Sequence, residues 1–119
     1  MNYATAILDL TNQQEAARVL PQAPLVASYH TGWQGLTFTH YRHPPHETVE
    51  HCLRQHLLVV TDPKSCFQAE RRLDGKLKHY AHGKGRVDVI PALLNHWTNW
   101  NQEVEFSVIA ICPTLLHQT

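Results

Sequence analysis

The stretch Gly85–Trp97, GRVDVIPALLNHW, decides how the rest of the chain is read. A glycine suited to a turn precedes Arg-Val-Asp-Val-Ile, a β-favouring run, and Pro91 closes it because proline has no N–H to give to a sheet ladder. His96 follows five residues after the proline, ahead of Trp97 and Trp100. A strand opened by glycine and stopped by proline is a unit of an all-β fold, and the histidine beyond it is a candidate polar group at the strand's end.

Outward from this unit the same rhythm repeats. LVASYH, GLTFTHYR, QHLLVVTD, CFQAERR, KLKHYAH and VEFSVIAIC read as strands, punctuated by DPKS at 62–65, Asp74-Gly75 and HGKG at 82–85. HLLVV and FSVIAI are apolar on both faces. Only TNQQEAARVLP reads as helical: Thr11 or Asn12 can cap it, Glu15 lies three residues after Asn12, and Pro21 ends it. Many short strands at this spacing predict a sandwich or barrel with a short peripheral helix, not a βαβ layout.

Composition narrows the function. At 119 residues the chain is one domain. Ten Lys and Arg balance ten Asp and Glu, so there is no basic field to neutralise phosphates, and the chain alone should bind nucleic acid poorly. Cys52, Cys66 and Cys112 are odd in number and without a CxxC pair, which speaks against a disulfide framework or a thiolate zinc site and for a reducing, cytoplasmic compartment. The start, MNYATAILDLTNQQEAARVL, lacks the basic opening and apolar run of a signal peptide, and no membrane span is expected.

Asp74-Gly75, then a strand, then Gly85, Pro91 and His96 resemble the second conserved motif of the cupins, which are small jelly-roll barrels. Leu93 stands where that family usually has glycine, and Trp100 where it often has asparagine. HYRHPPHETVEH, HLLVVTD, ERRLDGK and the run from Val89 to Leu116 are similar to the N-terminal sensory domain of AraC-type transcriptional regulators. The resemblance implies an all-β, cupin-like jelly-roll barrel over 24–116, behind an extension over 1–23 that carries the short helix. It implies a homodimer that senses a small-molecule effector, with DNA contacted only through a separate helix-turn-helix domain. No enzymatic activity, cofactor or metal is expected.

In such a barrel the ligand should lie inside, against His96 and Trp97, with His40, His56 and Tyr80 as further candidate contacts. Phe38, His40, Tyr80 and Phe106 sit on strands expected to point them inward, where they read as plain core ahead of ligand contacts. The tryptophans could plug the rim instead. Metal-binding cupins take most of their ligands from His-x-His, because residues two apart in a strand share a face, and no His-x-His occurs here. A site of His40, His56 and His96 with Glu70 would have to assemble across strands, and it keeps a second class open: a small metal-dependent cupin enzyme, a dioxygenase or isomerase. HPPHETVEH, with Glu47 and Glu50, reads as a solvated loop or edge strand, and no nucleophile arrangement stands out around Cys52.

Overall fold

A computed structural model describes residues 6–82 and 85–116. In chain order the elements are β1 (Ala6–Leu8), α1 (Gln13–Val19), β2 (Val26–Ala27), β3 (Leu36–His43), β4 (His46–Glu47), β5 (His51–Leu53), β6 (His56–Thr61), β7 (Phe67–Leu73), β8 (Lys76–His82), β9 (Arg86–Ile90), β10 (His96–Trp100), β11 (Val104–Ile111) and α2 (Pro113–Leu116). They form two sheets facing each other. One has the order β1-β5-β10-β7-β8, with β4 pairing the end of β10; the other has the order β2-β3-β11-β6-β9. This is the mostly-β, two-sheet architecture with a short helix that the strand rhythm predicts, and the jelly-roll that the resemblance implies.

The second sheet is built on β11, whose alternate residues Val104, Phe106, Val108 and Ala110 are buried. They pair with β3 on one side and β6 on the other, Val108 lying between Thr39 and Val59. Tyr41 stacks on Phe106 at 5.4 Å between centroids, which ties β3 to β11 through the core. Leu8, Leu53, Leu57 and Ile90 complete the apolar centre.

Turn chemistry fixes the register. Asp74 and Gly75 both have positive φ, 51° and 80°, the pattern a two-residue hairpin needs to match strand twist, and Leu73 then faces Lys76. Gly85 has φ 74°, and a side chain there would meet Pro63 at 3.3 Å, so this turn into β9 requires glycine.

Helix α1 is capped as its sequence predicts. Asn12 Oδ1 accepts from the N–H groups of Gln14 and Glu15, at 2.9 and 3.1 Å. It is less peripheral than expected, because Ala16 and Val19 are buried in the core. The extension over 1–23 also joins the barrel: β1 pairs in parallel with β5, Ile7 opposite Cys52.

Candidate functional site

Strand alternation sends one set of side chains into the space between the sheets, and there they leave a cavity of about 100 Å³. Leu53, Leu57, Val59, Phe67, Phe106 and Val108 make it largely apolar, and Val19 with Leu20 lines the end nearest α1. Trp100 faces in as well. Its indole N–H is held by Pro44 O at 2.9 Å, and its ring meets Phe106 edge-on at 6.1 Å.

One wall is polar, and topology explains it. β8 and β9 follow each other in sequence but occupy the outer edges of different sheets, so the seam between them has no ladder. Side chains bridge it instead. Arg71 Nη1 lies 3.4 Å from Asp88 Oδ1, Arg86 Nε donates to the same oxygen at 2.6 Å, and the Arg86 guanidinium sits 3.8 Å from the centre of the Tyr80 ring.

Behind this latch lies His96, only 5 % exposed, its ring 5.0 Å from that of His51. Burial first, then the charge of Arg71 and the neighbouring His51, hold the His96 imidazole down to about 3, so it is neutral near pH 7. Burial likewise lowers His51, whose Nδ1–H donates to Val49 O at 2.6 Å. Among the described residues neither ring nitrogen of His96, nor Nε of Arg71, has a hydrogen-bond partner.

Of the five residues proposed from sequence, His96 and Tyr80 line the cavity, and His40, His56 and Trp97 do not. On β3 the buried set is Thr37, Thr39, Tyr41 and His43, so Phe38 and His40 face outward. His40 Nε2–H donates to Glu105 Oε2 at 2.9 Å, and Ser107 Oγ–H donates to His40 Nδ1 at 2.7 Å. His56 accepts the N–H of Ala92 at 2.9 Å and so ties the start of β6 to the loop after β9. Trp97 lies on the outer face of β10, its N–H on Glu47 Oε2 at 2.9 Å and the Arg72 guanidinium 4.7 Å from its ring centre. The reason is parity. A one-residue difference in where a strand begins turns every side chain to the other face, and β3 carries apolar or β-favouring residues in both sets.

HPPH is also less solvated than its sequence suggests. His43 is buried, with its Nδ1–H on Pro44 O, and packs edge-on against Trp100 at 5.4 Å; His46 donates to Val19 O.

Sequence reasoning missed Arg71, Arg86, Asp88 and His51. The signal was present: Phe67, Ala69 and Arg71 share one parity of β7, and Arg86, Asp88 and Ile90 share one parity of β9. A charged residue in register with core residues is an interior charge.

A resident metal of the kind some cupins hold does not fit this interior. His40 lies on the outer face of one sheet and Glu70 bonds Asn99 and His79 on the outside of the other, so the set His40, His56, His96 and Glu70 does not converge. His51 and His96 face each other, but Leu53 fills the inward position two residues after His51, and the nearby Arg71 guanidinium would repel a cation. Among the described residues no three His, Cys, Asp or Glu side chains group as metal donors. Cys52 donates its S–H to Asn95 Oδ1 at 3.0 Å, and burial followed by the charge of Glu50 pushes its thiol up, away from the nucleophilic thiolate.

No protein-family model and no curated protein sequence matches this chain. Solved structures do. A cupin-like protein from Thermotoga maritima matches with TM-score 0.58 and 19 % identity over 77 % of this chain and 68 % of that one. A cupin domain from Bordetella pertussis matches with TM-score 0.53 and 18 % identity over 76 % and 95 %. A conserved protein of unknown function from Streptococcus pyogenes matches with TM-score 0.53 and 20 % identity over 68 % of each chain. At these identities the likeness speaks to architecture alone, and the architecture is the cupin fold.

Proposed function

We propose that this chain is a small-molecule-sensing and self-associating module of the kind found in AraC-type regulators, and not an enzyme. It works in the cytoplasm, and DNA is contacted only through a separate domain. The observation that carries the reading is the cavity: an apolar space of about 100 Å³ with one polar wall, the composition of a small-molecule site. Catalysis has less support. Glu47 is engaged by Trp97, Glu50 lies on the surface 4.0 Å from Arg72, and the Cys52 thiol is held protonated. The balanced charge and the similarity of HYRHPPHETVEH and ERRLDGK to AraC-type sensory domains favour a binding role.

The test is a thermal-shift screen of small metabolites on the wild-type chain and on Val59→Phe, which fills the cavity. A ligand present at 100 times its Kd stabilises by about 2.7 kcal/mol, a shift of several degrees for a domain of this size. Hits that vanish in Val59→Phe support the reading. Hits that persist there place binding elsewhere and contradict it.

A further inference from the structure

Although polar residues stand along the cavity, the surface that faces it is almost entirely hydrocarbon. A buried water needs about two to four polar partners, and the polar side chains here are committed to one another or to the backbone. Thr98 Oγ–H donates to Glu70 O at 2.8 Å, and Thr48 Oγ accepts the Thr98 N–H at 3.1 Å. Asp88 is shared by Arg71 and Arg86, the Arg86 guanidinium lies on the Tyr80 ring, and His51 Nδ1–H donates to Val49 O. Arg71 Nε and both ring nitrogens of His96 lack hydrogen-bond partners among the described residues, but they have essentially no accessible surface, so they lie behind the wall, out of reach of a guest. Thr61 adds one neutral hydroxyl, too little to hold a water by itself.

We infer that the cavity is dry and takes an uncharged, hydrocarbon-like molecule of about four heavy atoms, in contact with Leu57, Val59 and Val108. This rests on the sensing reading above and names its ligand class. The size follows from the volume: a dry cavity of ~150 Å³ holds benzene, so about 100 Å³ holds roughly two-thirds as many atoms. The class follows from desolvation. An ammonium or a carboxylate would exchange its hydration for a hydrocarbon surface. A hydroxyl loses less, but it still gives up hydrogen bonds to water that these walls do not replace.

The experiment compares probes of one size that differ in polarity: 1-chloropropane, propan-1-ol, propylammonium and acetate, with xenon as the control for access. The methyl NMR signals of Leu57, Val59 and Val108 provide the readout. 1-Chloropropane should shift them with a Kd on the order of a millimolar. Propan-1-ol should bind about tenfold or more weakly, and propylammonium and acetate should leave these methyls unmoved. Val59→Thr nearly keeps the shape of the side chain and adds a hydroxyl, so it should weaken 1-chloropropane and narrow its lead over propan-1-ol by about tenfold. If that variant does not fold, the ranking on the wild-type chain decides alone. Propan-1-ol, propylammonium or acetate binding as tightly as 1-chloropropane, or an unchanged ratio in folded Val59→Thr, overturns the apolar class and leaves the cavity reading intact. Xenon entry without 1-chloropropane binding does the same. Exclusion of every probe, xenon included, overturns both.

Discussion

Leu93 shows how a single position can record a departure from the motif it belongs to. It stands where cupins usually have glycine, and its backbone adopts φ 65°, the left-handed region that glycine enters freely. For a side-chain-bearing residue this costs ~1–2 kcal/mol, while glycine costs ~0.4–1 kcal/mol in unfolded-state entropy. Leu93 is exposed, so little packing is lost on substitution. Leu93→Gly should therefore stabilise the chain by about 0.5–1 kcal/mol in urea unfolding, and a loss of stability would contradict the assignment. The buried histidines have the opposite effect on stability under acid. Their native pKa values lie below the ordinary 6.5, so the unfolded chain takes up the proton first. Stability is full above 6.5 and falls with pH from there towards 3, at about 1.4 kcal/mol per pH unit for His96, with His43 and His51 adding the same sign. Urea midpoints should drop from pH 7 to pH 5, and His96→Gln should flatten that slope; parallel slopes would show that His96 is not buried neutral. Histidine type was legible in the sequence; the direction of each side chain was not, because that depends on one residue of register.

At the scale of elements, the strands that could be read were long or bounded by turns. β3, β6, β7, β8, β9 and β11 all follow runs of β-favouring residues closed by glycine, proline or Asp-Gly. β1, β4 and β5 are two or three residues long, too short to show alternation, and β10 reads as a bend because Trp97 and Trp100 look like a rim plug. The double-sided apolar character of HLLVV and FSVIAI now has a concrete form. On the outer face of the second sheet Val89, Leu58, Ile109 and Phe38 lie in one row across four strands, and Val87 with Val60 extends it. Val87 and Val89 are each 63 % exposed. We propose that this contiguous apolar sheet face packs against a second copy of the chain in a twofold, self-complementary contact. Light scattering should give a dimer mass at micromolar concentration, and Val89→Asp should shift it towards monomer with little change in monomer stability. A monomer for the wild type across that range would contradict the proposal.

For the molecule as a whole, the outer face of one sheet carries an exposed apolar row, and the space between the sheets is a lined cavity. The cupin architecture was legible because Gly85, Pro91 and the Asp74-Gly75 turn are backbone signals that can be read from residue type alone. The polar wall was not, because it forms where β8 and β9 diverge into different sheets, and only topology brings Arg71, Asp88 and His96 together. Packing around the cavity also sets stability: Leu53→Ala should cost about 2–5 kcal/mol, since Leu53 is almost fully buried at its edge and the space cannot close up around its loss. The central claim, that the space between the sheets admits a ligand and the outer faces do not, is tested most directly by methyl-resolved NMR under xenon. The account predicts shifts confined to the inward methyls of Leu57, Val59 and Val108, with Leu58, Val60 and Ile109 on the outer face unmoved. Shifts at Leu58, Val60 and Ile109 with none at Leu57, Val59 and Val108 would contradict it.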